Sequence, residues 1–352
     1  MMLKMFCVSF AMLFCCGLSA QFMVGGYYSS QEAALRQLPV DKIDFSTYDI
    51  LYQAFLRFDE NGFLKPDEKL EPKRLIQAAR AAGKTKVMIS CGGGLFKCFP
   101  RLCHSPESAD RLAERIAGFV VEHDYDGVDL DWESEGSAEN GYRCGLLIEA
   151  LHRHLNGLEK KRLLSVTVMG GKWFLKHLRP EALALADWIN LMAYDMNWRI
   201  AAYHAPLQQN ASGIAPEVSI ESSLDYLEQH LKVPRHKICV GLPFYGFIYE
   251  NLKPGEIIAG SPKGRRTMLS WARLQERGRG FKRVYDPVTR GVKLYSEQSD
   301  VYILLDDPES ISSKVQWIKA GKYRGVFVWA VNQDRLPDGS APLTAALKKA
   351  VE

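Results

Sequence analysis

Four carboxylates fall within eight residues in Asp126-Gly127-Val128-Asp129-Leu130-Asp131-Trp132-Glu133. Acidic and apolar residues alternate there, and successive side chains of a strand point to opposite faces. Asp129, Asp131 and Glu133 therefore share one face, and Val128, Leu130 and Trp132 the other. Strand neighbours two apart lie about 7 Å from one another. Carboxylates at that spacing inside a protein raise each other's pKa, and burial raises them further. At least one is expected to keep its proton near neutral pH, the state a general acid requires. Glu133 is the longest and stands nearest the strand's C-terminal end, so it is the expected donor. A calcium loop is the competing reading, and the EF-hand order of alternating Asp or Asn, then Gly, then a later Glu is absent.

Such a strand needs a scaffold that presents its C-terminal end. Short apolar runs recur at Phe22–Tyr28, Asp49–Leu56, Lys86–Ser90, Gly127–Trp132, Leu164–Met169, Trp188–Ala193, Ile238–Phe244 and Gly325–Trp329. Each has the composition of a strand buried on both faces. Amphipathic segments lie between them. Arg74–Ala82 follows Pro72 and stops at Gly83. Pro106–Val121 has Ser105 as cap and a stripe of Leu112, Ile116, Phe119 and Val120. Cys144–Leu155, Ile220–Leu231 behind Ser219, a helix opened by Asp307-Pro308, and Pro342–Val351 complete the clear ones. The segments Asn156–Lys161 and His177–Ala186 carry weaker helical patterns. Eight β-then-α units without an internal linker predict an α/β fold, a (β/α)8 TIM barrel, in which chemistry sits at the C-terminal strand ends. An open doubly wound sheet would place a Gly-rich helix start after strand one, whereas Gly25-Gly26 leads into Tyr27-Tyr28. Strands seven and eight are widely separated. The stretch 249–303, rich in charge and turns, predicts a small α+β insertion walling one side of the cleft.

The composition is that of a globular protein: 47% hydrophobic, 24% charged, net charge +4 over 352 residues. No basic cluster interleaves with aromatics, so no nucleic-acid partner is expected. Residues 1–20 read as a secretory signal. Lys4 precedes an apolar core, Met5–Cys16, and Gly17-Leu18-Ser19-Ala20 gives a small-residue exit. That reading places the mature chain, 21–352, outside the cell or in a periplasm. The leader is too short for a membrane span, and no later segment supplies one. Cys91, Cys98, Cys103, Cys144 and Cys239 remain after the leader, an odd count. Cys98 and Cys103 are near enough to bridge; buried thiols are the other reading. With no CxxC, no HExxH and eight scattered His, no metal and no other cofactor is expected. A monomer is expected.

The acidic stretch resembles the DGxDxDxE signature of glycoside hydrolase family 18, the chitinases and endo-β-N-acetylglucosaminidases. Further stretches follow in the family's order. Ser90-Cys91-Gly92-Gly93 resembles its SxGG, Met192-Ala193-Tyr194-Asp195 its MxYD, and Gly241-Leu242-Pro243-Phe244-Tyr245-Gly246 its GxPxYG. Two departures stand out. Phe247 occupies a place where family members often carry Arg, and Glu133-Ser134-Glu135 replaces the usual Glu-Tyr-Pro. On their own chemistry, Gly92 and Gly93 let backbone pass close to the acidic strand, and Ser90 can hydrogen-bond an Asp. Tyr194 can offer a hydroxyl at the barrel mouth. Trp329 can serve as core or as a stacking floor for a sugar ring.

The resemblance implies a carbohydrate partner and a substrate-assisted reaction, in which the sugar's own C2 acetamide attacks the anomeric carbon. It implies that Glu133 protonates the leaving oxygen and then activates water. Asp131 would hold the acetamide N–H, and Asp129 and Asp126 would tune and support it. Tyr194 would donate to the acetamide carbonyl, assisted by Asp195, and Trp329 would lie under the ring. Met192 shares the face of Tyr194. Tyr27, Phe55, Trp173, Trp198 and Tyr245 are further candidate platforms, each equally able to be packing. Three activities are open at this point. They are cleavage of chitin or chitooligosaccharides, cleavage of N-glycan chitobiose cores or peptidoglycan, and binding without cutting as a chitinase-like lectin. Asn210-Ala211-Ser212 is a glycosylation sequon.

Overall fold

The computed structural model describes residues 22–352 apart from 32–36, 67–68, 95, 134–135, 210–217, 260 and 262. The leader, the Asn210 sequon and the Ser134-Glu135 departure lie outside the described residues. The strands in chain order are β1 (Met23–Ser29), β2 (Ile50–Phe58), β3 (Leu64–Pro66), β4 (Lys86–Gly92), β5 (Gly127–Asp131), β6 (Leu163–Met169), β7 (Trp188–Met192), β8 (Ile238–Pro243), β9 (Tyr245–Glu250), β10 (Arg265–Ser270), β11 (Lys282–Tyr285), β12 (Val292–Tyr295), β13 (Val301–Leu305) and β14 (Gly325–Trp329). Eight of them, β1, β2, β4, β5, β6, β7, β8 and β14, pair in parallel. The β1–β2 and β1–β14 pairings close the ring. This is the expected (β/α)8 barrel, with all eight strands within two residues of the positions read from apolar runs.

Three aspartates at the N-terminal rim fix strand pairs in register. Asp49, Asp126 and Asp187 each stand just before a strand. Their carboxylates accept from the N–H of Val24, Val87 and Leu164, each at 2.9 Å. Their own N–H groups donate to the carbonyls of the same three residues at 2.8 Å. A slip of one residue would break both bonds and turn every side chain of the strand to the other face.

The helices start where the sequence caps them. Ser105 and Ser108 form a reciprocal box ahead of Pro106–His123, and Ser219 and Ser222 do the same for Ile220–Gln229. The helix expected from Cys144 begins earlier, at Ala138, capped by Ser137. Its polar first turn hid it from an apolar stripe. Between 171 and 186 only the short helices Lys172–Leu175 and Pro180–Leu183 form, and 157–161 is a turn.

The insertion between the seventh and eighth barrel strands is a five-stranded antiparallel sheet in the order β10-β9-β13-β12-β11, with the helix Trp271–Arg277. Its sheet starts at Tyr245 and ends at Leu305, wider than 249–303 on both sides. Phe244 is the sole residue between β8 and β9. It is fully buried, donates its N–H to Trp329 O and accepts from Trp271 N–H. Cys98 and Cys103 are free thiols at either end of the short helix Phe99–Leu102, so of the two readings open from the sequence the structure has the unpaired one.

Candidate functional site

The acid face of β5 points into the barrel, as strand alternation requires. Asp129 is fully buried and accepts from five side chains. Ser165 Oγ (2.6 Å), Thr167 Oγ1 (2.8 Å) and Asn190 Nδ2 (3.2 Å) approach Oδ1. Tyr27 Oη (2.7 Å) and Ser90 Oγ (2.8 Å) approach Oδ2. Burial pushes its carboxyl up, and these bonds pull it back without cancelling the rise. Asp131 is buried one pleat further on.

Beyond the strand end, burial pushes the Glu133 carboxyl above its ordinary range. The Lys97 ammonium draws it back, the Asp195 carboxylate pushes it up again, and the Gly94 N–H, which donates to it, lowers it. Lys97 Nζ also donates to Glu133 O at 3.5 Å. The loop after β4 is shaped around these acids. A Cβ at Gly92, where φ is 118°, would lie 2.2 Å from Asp131 O, and one at Gly93, where φ is 86°, 2.8 Å from the Phe55 ring. Gly93 N–H donates to Asp131 O at 3.0 Å.

Gly94 has an ordinary backbone and a specific neighbour: a Cβ there would stand 2.8 Å from Glu133 Oε2. That carboxylate is the free end of a side chain, so it would swing aside at little cost to the fold. Gly94→Ala is therefore expected to leave the melting temperature within about 2 °C of the parent. It should still lower kcat roughly tenfold or more, because the acid is displaced from its donor. Thermal melts beside steady-state rates check both halves.

Across the mouth, the end of β7 supplies Met192, Tyr194 and Asp195. Burial first, and then the charges of Asp131, Asp195, Glu133 and Asp129, raise the Tyr194 phenol well above its usual value, so it stays a donor. Asp195, with φ at 55°, behaves in the opposite way. Burial alone would raise it. His204, a hydrogen bond from the Tyr245 hydroxyl and the Arg266 charge hold it below the usual carboxylate range.

Glu133, Met192, Tyr194, Asp195 and Trp198 line one cleft of about 650 Å³, walled further by Trp173 and Phe174 from the short helix Lys172–Leu175 after β6. A second arm runs along the insertion, past Phe247, Arg266 and Met268. Arg266 lies over the Phe247 ring at 4.8 Å and donates to Trp198 O at 2.6 Å. The side chain on β10 thus sets a guanidinium above the residue that the resemblance expects to be Arg. Trp198 and Trp173 are 54% and 64% exposed, with Arg199 and Lys176 over their rings. Trp329 is half-buried, stacked on Phe55 at 5.6 Å and tilted against Tyr27 at 5.4 Å.

Three expected contacts with ligand are corrected. Asp126 occupies the N-terminal rim, at the far end of β5 from Glu133, where its carboxylate is committed to Val87 N–H. Tyr27 and Tyr245 are buried and offer no platform; one hydroxyl serves Asp129 and the other Asp195. Residues not singled out from sequence also belong to the site. Ser165 and Thr167 are polar at alternate positions of an apolar strand, the period-two signal of a polar inner face. Asn190 gives the same signal on β7. Gly94, Lys97, His204 and Arg266 come from loops and the insertion, where no periodicity marks them. Among the described residues, no group of three or more His, Cys, Asp or Glu could hold a metal, and no helix is long and apolar enough to cross a membrane.

Comparison with known proteins agrees with this geometry. The family model for glycosyl hydrolases family 18 matches residues 23–334. Chitinase 1 of Aphanocladium album is 26% identical over 280 residues, covering 75% of this chain and 65% of that protein. The chain thus spans just under two thirds of that relative's length. Among solved structures, a family 18 N-acetylglucosaminidase from Paenibacillus barengoltzii superposes with a TM-score of 0.81 at 22% identity, covering 94% of this chain and all of that one. A chitinase-like agglutinin from Robinia pseudoacacia does so at 0.80 and 23%, covering 93% and 99%.

Proposed function

Because the chain belongs to glycosyl hydrolases family 18, we propose that it is a secreted enzyme cleaving β-1,4 bonds of N-acetylglucosamine-containing glycans, with chitin and its soluble oligomers as substrates. One observation carries the reading. Glu133, its carboxyl pushed up by burial, lines a cleft whose other lining carboxylate, Asp195, is already engaged by His204 and Tyr245. Most glycosidases need a second carboxylate free to act as nucleophile or base, whereas family 18 is a substrate-assisted exception.

The residues then take these roles. Glu133 gives its proton to the leaving oxygen as the substrate's acetamide closes on the anomeric carbon to form an oxazolinium. The ionised Glu133 next takes a proton from water, which opens the ring with retained configuration. Asp131, beside Tyr194 and buried, receives the acetamide N–H and offsets the positive charge of the intermediate. The Tyr194 hydroxyl, kept protonated, donates to the acetamide oxygen. Asp129 is a support: its five donors fix the inner face of β5 and, through it, Asp131. Trp329 floors the reacting ring on a stack continued by Phe55. The exposed faces of Trp173 and Trp198 offer platforms further along the cleft.

The test uses purified protein with fluorogenic chitobiose and chitotriose, a high-mannose glycopeptide and a peptidoglycan fragment. Release from the chitooligosaccharides with retained anomeric configuration by NMR supports the proposal. Release only from the glycopeptide or the peptidoglycan moves the substrate to those glycans. Binding without release from any of the four makes the protein a lectin, and efficient hydrolysis of cellooligosaccharides, which lack the acetamide, overturns the mechanism.

A further inference from the structure

Trp198 stands where the two arms of the cleft meet. It lines the arm that holds Glu133 and also the arm that runs along the insertion past Phe247, Arg266 and Met268. The chain that carries it changes support at this residue. On one side Asn197, with φ at 58°, is tied to its own loop: its Nδ2 donates to Tyr203 O at 3.3 Å and to Val218 O at 3.1 Å. On the other side the ties run to the insertion. Arg199 O accepts from Ile258 N–H at 2.9 Å, Ile200 bridges to Ile257, and Ala201 bonds Glu256 O at 2.8 Å and Gly255 N–H at 2.9 Å. The Trp198 carbonyl itself is taken by a side chain, Arg266 Nη1, at 2.6 Å. Strand register explains the reach. Arg266 pairs with Tyr249 and Met268 with Phe247, so Arg266 and Phe247 are diagonal neighbours on one face of the inserted sheet. The guanidinium lies over the Phe247 ring at 4.8 Å, which limits where it can go. A charged donor on a carbonyl also makes a stronger bond than a neutral one. The indole is more than half exposed, so its main chain carries much of its placement.

We propose that Arg266 is a positioning residue that sets chain-length preference: it fixes the Trp198 platform at the junction of the arms, so that the cleft favours oligomers long enough to pass from the Glu133 arm into the arm along the insertion. The inference rests on the reading of the cleft as a site for N-acetylglucosamine oligomers. A short oligomer is held within the Glu133 arm and gains little from the platform. A longer one must cross Trp198, and an indole already in place needs no ordering when the sugar arrives. Loosening the platform removes binding that ground state and transition state share, so KM rises and kcat stays. A competing role is electrostatic, because the Arg266 charge also holds Asp195 down. That role would appear in kcat at every chain length. A merely structural role would appear in stability and active fraction, again without regard to length.

The test measures kcat and KM on fluorogenic chitobiose and on chitopentaose. Arg266→Met keeps an unbranched chain over Phe247 and removes the donor. Its KM for chitopentaose should rise roughly tenfold and its KM for chitobiose stay within about twofold, with kcat unchanged on both. Arg266→Lys keeps a charged donor and should bring the rise down to about threefold. Trp198→Ala should raise the same KM, and adding Arg266→Met to it should change nothing further, because the arginine acts through the indole. Both positions are partly exposed, and melting curves verify that each variant folds. With an active wild type, a KM that rises equally at both lengths, or not at all, overturns this inference alone. Additive losses in the double variant do the same, and so does a fall in kcat on both substrates. A wild-type protein inert on both overturns the functional reading and this inference with it.

Discussion

Glu133→Gln is expected to lower kcat by about 100- to 10,000-fold, the range a positioned acid contributes. The amide has the size and shape of the carboxylic acid and keeps a group within reach of Gly94 N–H and Lys97, so the cleft is unchanged. It cannot hand a proton to a leaving oxygen or take one from water. Affinity for chitooligosaccharide should therefore stay within about threefold, and calorimetric titration of the variant would measure it without turnover. The proton also makes a statement about pH. Burial and the Asp195 carboxylate hold Glu133 above the ordinary carboxyl value. The acid form consequently persists above the usual carboxyl pKa, and activity is lost as pH rises through the raised value. A rate in the glutamine variant equal to that of the parent would remove Glu133 from the mechanism.

Lys314→Met is expected to destabilise the fold by about 3–5 kcal/mol, the cost of leaving one buried charge alone. Lys314 is wholly buried, its partner Asp306 nearly so, and Ala205 O loses its donor as well. Burial pushes the lysine down and the aspartate up, and their mutual attraction works against both shifts. Removing the pair together, as Lys314→Met with Asp306→Leu, should return most of the loss, because neither charge is then stranded. Urea titrations of the three proteins would decide it. Additive losses in the double variant would show that the two residues act separately.

Much of the barrel was legible because its strands are buried on both faces and read as apolar runs between capped helices. The acid face of β5 was legible because period-two alternation separates Asp129, Asp131 and Glu133 from Val128, Leu130 and Trp132. Asp126 was the error within the same motif. It lies an odd number of residues from Asp129, off the acid face, and its role is to clamp Val87 at the opposite rim. Tyr27 and Tyr245 show a different limit. An aromatic on a barrel strand can stack against sugar or donate inward, and only the neighbours Asp129 and Asp195 decide which. His204, Arg266 and Gly94 had no signal at all. Their partners lie 9, 71 and 39 residues away along the chain, and loops and the inserted sheet, not a repeating pattern, bring them together.

The junction at Phe244 has a consequence for how substrate enters. With one buried residue between β8 and β9, held from both sides by backbone bonds, the wall has no pivot on which to swing at its first strand. Enzymes that clamp shut on their ligand need a few residues free to absorb the change in backbone angle. The insertion's first strand therefore keeps its place against the barrel whether the cleft is empty or filled.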